Sequence, residues 1–370
     1  MTIGLLSEPS FEHRVALLPL HVTELNKMGH VVLVESGAGE QTFAKDEDYT
    51  AAGAQVRSQA EVLHADLLVC INWQQWPTSG RTFVGAFQPL NHPQYIPQCT
   101  SAGHTVFSLD LLPRTTRAQG MDVLSAQANI AGYKAVLLAA SLYSRYVPML
   151  MTAAGSIAPA KFLIIGAGVA GLQAVATARR LGGVVEVFDT RPAVKEEVQS
   201  LGAKFIEVPG AADASGAGGY AVEQSETYQQ AQRQRIAESV QKADIVITTA
   251  QMPGKKAPLL LTETMLESMR AGAVVIDLAA ATGGNTAVTK NGETVRYAGV
   301  QVVGNSALAS TMPYDASRLY GRNVFNFLQL LVNSNGALEP QWADELVTGC
   351  CVAKAGTLVH PQLKEVITTP

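Results

Sequence analysis

Short apolar runs alternate with amphipathic stretches along most of the chain. In the first third, "TIGLL", "HVVLVE", "ADLLVCI", "RTFVGAF" and "HTVFSLDLL" read as strands, and "PLHVTELNKMG" reads as a helix closed by a glycine. The middle repeats the pattern more cleanly in "KFLIIGA", "VVEVFD", "AKFIEV", "ADIVITTA", "AGAVVIDLA" and "VQVVGN". Strands that are apolar throughout, separated by helices, predict parallel sheets covered on both faces. Between the two series, residues 121–147 predict a long helix in which Met121, Leu124, Ala128 and Ala131 recur at helical spacing. After "VVGN", "ASRLYGRNVFNFLQLLVNS" predicts a second long helix leading the chain back to its first half. The tail "LVTGCCVAKAGTLVHPQL" predicts a small hairpin around "AG". The expected architecture is α/β: two doubly wound domains with mainly parallel sheets, joined by long helices, with a cleft between them. Residues 1–128 plus 325–370 form the first, discontinuous domain, and residues 129–324 form the second.

One stretch breaks the pattern. Residues 209–224, "PGAADASGAGGYAVEQ", are small and Gly-rich, with Tyr220 as the one large apolar residue. Two readings stand side by side: an inert surface insertion, or a mobile lid in which glycines hinge and the ring covers a ligand.

Composition narrows the classes. A formal charge of −4 over 370 residues offers no surface for nucleic acid or anionic lipid. The opening "MTIGLLSEPSFEHR" lacks a basic n-region, so it does not read as a signal peptide. The most apolar run, "FLIIGAGVAGLQAVATA", is broken by glycines and short for a membrane span. The four cysteines form no CxxC pair and no metal spacing, as expected in a reducing cytosol.

The most informative stretch is "KFLIIGAGVAGLQAVATARRLGGVVEVFDTR". Gly166, Gly168 and Gly171, with Ala167 and Val169 between them, give G-x-G-x-x-G after a strand and at the start of a helix. The next strand ends in Asp189, followed by Thr190 and Arg191. This full context marks a Rossmann-like dinucleotide site, with phosphates at the helix N-terminus and ribose hydroxyls on the carboxylate. Asp189 repels a 2′-phosphate, so NAD(H) is favoured over NADP(H). Arg191 pairs a 2′-phosphate only if Asp189 turns away.

A second cluster precedes the long helix. In "RTTRAQGMDVLSAQANIAGY", Arg114, Arg117, Gln119, Asp122, Ser125 and Asn129 crowd a segment otherwise small and apolar. Gln119, Asp122 and Ser125 step by three and line one face. N-terminal capping with an Arg–Asp surface pair accounts for one of these polar residues, not for three behind two arginines.

With these motifs in place, the chain resembles the NAD(H)-binding component of proton-translocating NAD(P) transhydrogenases. The likeness runs nearly end to end, through "SEPSFEHRVALLP", "RAQGMDVLSAQANIAGYKAV", "FDTRPAVKEEVQSLGAKF", "GGYA", "TTAQMPGKKAP" and "VIDLAAATGGN". The resemblance implies that the chain binds NADH and passes hydride to NADP+ on a separate NADP(H)-binding domain, while a membrane-embedded subunit couples transfer to proton movement. It implies a homodimer, cytoplasmic and peripheral at the inner face of the cell membrane. By the same resemblance, Gln119 stands beside the nicotinamide, with Arg114, Asp122 and Ser125 around its amide and ribose. Asp189, Thr190 and Arg191 belong to the adenosine end, Gly219 and Tyr220 to a closing loop, and Gln232 to the segment after it. Gln251 stands on the cofactor side where the family usually has an aliphatic residue, and Lys256 replaces a common Pro. Hydride transfer between two nicotinamides moves no proton at the reacting carbons. Such a site needs positioning groups, and an amide, an ion-paired Asp and a hydroxyl suit it.

The related alanine dehydrogenases give the rival reading. Deaminating an amino acid requires a carboxylate-binding Arg and Lys plus a His acid/base. Arg14 matches the arginine, "LLVCINWQQWP" supplies no lysine, and His92 falls late in "VGAFQPLNHPQ". Arg14 is then a structural or inherited residue. A non-catalytic, NAD-sensing dimer module is the third reading.

Overall fold

The computed structural model describes residues 1–73, 75–210 and 225–368. The chain forms two compact units, Met1–Gln127 with Ser310–Pro370, and Ala128–Ala309. The second segment of the first unit begins at Ser310 rather than at residue 325. The whole helix Pro313–Leu328 belongs to that unit, with Tyr320, Val324 and Phe327 buried in its core beside Leu5, Val34 and Leu67.

Six strands of the first unit are parallel: Thr2–Leu5, Val31–Glu35, Gln55–Arg57, Leu67–Val69, Thr82–Gly85 and Thr105–Ser108. Across the sheet they run 3-2-1-4-5-6 in chain order, so the winding reverses between Thr2–Leu5 and Leu67–Val69. The predicted tail hairpin, Cys351–Lys354 with Thr357–Leu358, extends this sheet antiparallel on Thr105–Ser108. Its turn residues Ala355 and Gly356 both have positive φ, 44° and 80°, as a two-residue hairpin requires.

The second unit repeats the winding. Lys161–Ile165 lies between Val184–Phe188 and Ile245–Thr248, with Lys204–Phe205 outside the former and Val274–Asp277 and Val300–Gly304 beyond the latter, all parallel. An antiparallel edge strand, Thr294–Tyr297, lies outside the series expected from the pattern. It joins Val300–Gly304 through Ala298 and Gly299, again at positive φ, 47° and 81°. The pattern likewise gives no sign of a separate ribbon, Leu150–Thr152 with Gly155–Ile157, where Met149 and Met151 are exposed.

The long helix spans Val123–Leu142 rather than 121–147. Leu124, expected on its apolar stripe, is exposed, whereas Val123, Ile130, Ala135, Val136 and Ala139 are buried. Almost every residue here is small or apolar, so periodicity alone does not choose a face. By length and composition the helix also qualifies as a membrane span; about a third of it is buried within the protein.

Candidate nucleotide-binding site

The fingerprint glycines are demanded by the backbone around them. Gly166 follows the strand Lys161–Ile165 at φ +101°, and a Cβ there would lie 2.3 Å from Thr249 Oγ1. Gly171 lies in the helix Val169–Arg180, where a Cβ would come within 1.8 Å of the Gly166 carbonyl oxygen. That contact brings helix and strand to van der Waals distance. A Cβ on Gly168 would meet nothing within 4 Å among the described residues. This open side is where a pyrophosphate approaches in such folds. Gly168 is also the helix N-cap and supplies no side-chain cap, so the dipole end faces an uncapped turn. Val169 is exposed on that turn and Ala167 is buried beneath it.

Asp189, 8% exposed, follows the neighbouring strand Val184–Phe188, and its carboxylate ties this turn to the end of that strand. Its Oδ2 accepts from the Ala167 N–H at 2.7 Å and from Arg191 Nη2 at 2.7 Å. Its Oδ1 accepts from the Arg191 N–H at 2.8 Å and Nε at 2.9 Å. The expected ribose ligand is thus already paired with Arg191, whose guanidinium it holds above its ordinary pKa against the effect of burial. Thr190, between the two, is half-buried.

Loops from the adjacent strands complete this end of the sheet. Thr249 Oγ1 donates toward the Gly166 carbonyl at 3.2 Å. Buried Asn285 accepts from the Ala250 N–H at 3.1 Å and donates to the Ala250 and Pro258 carbonyls, both at 2.9 Å. Asp277, fully buried, in turn fixes the backbone at Ala279 and Asn285. Gln251 Nε2 donates to the Leu278 carbonyl at 3.0 Å, so its amide braces two loops. The stem of Lys256 lies over Gly283. Gln232 is half-buried on the helix Glu226–Val240. Tyr228 on that helix is buried, and its hydroxyl is pushed up by burial and then by the charge of Asp189. Sequence reasoning missed Tyr228, Thr249 and Asn285; the "TTAQMPG" and "ATGGN" motifs flagged the last two only as stretches. Gly219 and Tyr220 lie outside the described residues.

The polar segment before the long helix belongs to the first unit. Gln119 sits in a 3-10 turn, Thr116–Met121, capped by the Thr115 hydroxyl on the Ala118 N–H. Asp122 follows this turn at φ −74°, ψ 89°, and Ser125 lies in the α-helix after it, so the three residues do not share one regular helix. Gln119 and Arg114 are exposed. Asp122 caps the long helix: Oδ1 accepts from the Ser125 N–H at 2.9 Å and Oδ2 from Ser125 Oγ at 2.6 Å. Capping therefore accounts for two of the three polar residues, not one, because the Ser125 hydroxyl folds back on the cap. The ion pair also differs from the expectation, since Arg117 pairs with Asp344.

Comparisons with known proteins bear on the fold and the family. Residues 4–131 match the family described as "Alanine dehydrogenase/PNT, N-terminal domain", and residues 135–361 match its "C-terminal domain". The chain belongs to the alanine dehydrogenase/PNT family. Within the family it is 41% identical, over 95% of its length and 96% of the relative, to the first portion of the NAD(P) transhydrogenase alpha subunit of Rhodospirillum rubrum. A crystal structure of transhydrogenase from Sinorhizobium meliloti superposes with a TM-score of 0.84 at 39% identity, covering 98% of this chain and all of that one. Identity to alanine dehydrogenase of Mycolicibacterium smegmatis is 30%, over 77% of this chain and 74% of that one.

The alanine dehydrogenase reading of this alanine dehydrogenase/PNT chain turns on Arg14. Here Arg14 is engaged by its own chain: Nε and Nη2 donate to Glu12 at 2.7 and 2.5 Å, and Nη1 donates to Gln127 Oε1 at 2.8 Å. Burial acts against its charge, but Glu12 holds the guanidinium above its ordinary pKa. All three of its side-chain nitrogens are thus hydrogen-bonded within the chain, and His92 is exposed. Beside this pair, Glu8 accepts from the N–H groups of Ile71 at 2.5 Å and Asn72 at 2.8 Å. It thus bridges the winding reversal of the first sheet with its own carboxyl, and burial pushes its pKa up to about 8.

Proposed function

We propose that this chain is the NAD(H)-binding component of a proton-translocating NAD(P) transhydrogenase. The observation that carries the reading is the near full-length match to the Rhodospirillum rubrum subunit. The residues fit a dinucleotide: an open Gly168, an uncapped helix end, and a carboxylate closing the next strand. NADH, when bound, supplies the hydride. The N–H groups of the Gly168 turn hold the pyrophosphate, and Asp189 takes the adenosine ribose and disfavours a 2′-phosphate. Gln119, Arg114, Asp122 and Ser125 orient the nicotinamide end. Neither Gln119 nor the Ser125–Asp122 pair has to exchange a proton, which suits a transfer with no net proton change at carbon.

The sequence holds one G-x-G-x-x-G with an acidic partner, so NADP(H) arrives on a partner domain. A membrane-embedded subunit couples the transfer to proton movement, and this chain is held at the cytoplasmic face through its partners. A homodimer belongs to the same reading. A two-stranded ribbon is marginal alone, and the ribbon bearing Met151, 73% exposed, gains cover from a second copy.

A steady-state assay with and without an NADP(H)-binding domain tests the proposal. Turnover from NADH to an NADP+ analogue is expected only when both are present. Turnover by this chain alone, or NAD-dependent oxidation of alanine, would replace the reading with a self-contained dehydrogenase.

A further inference from the structure

We infer that Asn323 and Asn326 are positioning residues for Gln119, an assignment that rests on the transhydrogenase reading. Both lie on the helix Pro313–Leu328, three residues apart and so on one face. Their side-chain amides donate to a single acceptor, the Gly120 carbonyl oxygen, at 2.9 Å from Asn323 and 2.7 Å from Asn326. Gly120 immediately follows Gln119 in the 3-10 turn, so pinning its carbonyl limits the backbone rotation that would swing the Gln119 side chain. A Cβ at Gly120 would lie 3.1 Å from Asn326 Nδ2, so glycine leaves the amides room to close on the carbonyl.

Packing alone does not explain the pair. Asn323 is 7% exposed, and its Oδ1 is buried without a hydrogen-bond partner among the described residues. A buried orphan acceptor is destabilising, and a leucine of similar size would avoid it. The amide nitrogen must face Gly120, because a flipped amide would set two oxygens against each other. The arrangement is therefore a directed brace on the Gln119 turn. The turn is held at two further points, by the Thr115 cap and by the ion pair of Arg117 with Asp344.

The test is a double-mutant cycle read by stopped-flow hydride transfer from the NADH-loaded chain to an NADP+-loaded partner domain. Asn323→Leu with Asn326→Ala should slow the transfer about tenfold, the scale of a misplaced positioning group. NADH affinity should change less than about twofold, and the melting temperature of Asn323→Leu alone should not fall, since the orphan acceptor is gone. In a Gln119→Leu background the same pair of substitutions should have almost no further effect, because both act through one group. Should Asn323→Leu not fold, Asn326→Ala alone carries the cycle, since Asn326 is the less buried of the two. An unchanged rate, or equal slowing with and without Gln119, would overturn the assignment. No slowing in Gln119→Leu itself would bring down the functional reading, and the brace with it.

Discussion

Replacing Asp189 by alanine should shift the nucleotide preference proposed for this chain toward NADPH, and the structure sets the scale. All four acceptor positions of the carboxylate are occupied, two by backbone N–H groups and two by the Arg191 guanidinium. A ribose hydroxyl must therefore take over a position that Arg191 holds. The pair is shielded, with side-chain exposures of 6% for Asp189 and 19% for Arg191. Losing charge-assisted bonds at such a site costs about 1–3 kcal/mol, or about 5- to 150-fold in NADH affinity. The same substitution takes the carboxylate away from Arg191, a guanidinium suited to bidentate phosphate contact. NADPH should bind several-fold tighter to Asp189→Ala than to the parent chain, while NADH weakens. Fluorescence titration of both reduced nucleotides gives the two constants directly. Asp189→Ala also leaves the Ala167 N–H without its partner, so a melting curve must accompany each titration. An unchanged ratio of NADH to NADPH affinity in a folded variant would refute the role given to both residues.

Gly171→Ala places a methyl group 1.8 Å from the Gly166 oxygen. A loss of about 3 kcal/mol or more is expected in urea unfolding, and a loss below about 1 kcal/mol would show that the turn yields easily. Glu8 titrates in the folded state at about 8, against an ordinary value of 4.5. Between these values the native state keeps a proton that the unfolded chain has lost. Its contribution to stability therefore falls as pH rises from 4.5 to 8, with a slope of at most about 1.4 kcal/mol per pH unit. Glu8→Gln should flatten the pH dependence of the melting temperature in that window; an unaltered profile would assign it to other groups. Met151→Asp on the exposed ribbon should convert the proposed dimer to monomers in sedimentation, and a dimer unaffected by it would place the contact elsewhere.

Much of the glycine turn at Gly166–Gly171 was legible because its elements are packed into one stretch. Gly166, Gly168, Gly171 and Asp189 are tied by a strand–turn–helix–strand unit whose geometry is local. The interactions that brace it are not local. Tyr228 meets Asp189's field from another helix, and Asn285 reaches back to Ala250 across 35 residues. Asn323 and Asn326 hold Gly120 across 203 and 206 residues. Nothing in "GRNVFNFLQ" marks two asparagines as donors to a distant carbonyl. The long helix misled in a different way: with small and apolar residues on every side, spacing picked Leu124 where packing chose Val123 and Ile130. The strand Thr294–Tyr297 could have been read from "YAGV", since the same Ala-Gly turn marked the tail hairpin.

In the proposed reaction, hydride leaves NADH on this chain for NADP+ on a partner, with Gln119 positioning the donor ring. That proposal is probed most closely by the single-turnover rate on mixing the NADH-loaded chain with an NADP+-loaded domain, for the parent and for Gln119→Leu. Transfer should require both proteins and slow about 10- to 100-fold in Gln119→Leu, equivalent to about 1.4–2.7 kcal/mol of lost positioning. NADH affinity should stay within about twofold in that variant, because phosphate and ribose contacts dominate binding. A hydride rate unchanged by Gln119→Leu, or full turnover by this chain without any partner, would contradict the proposed role.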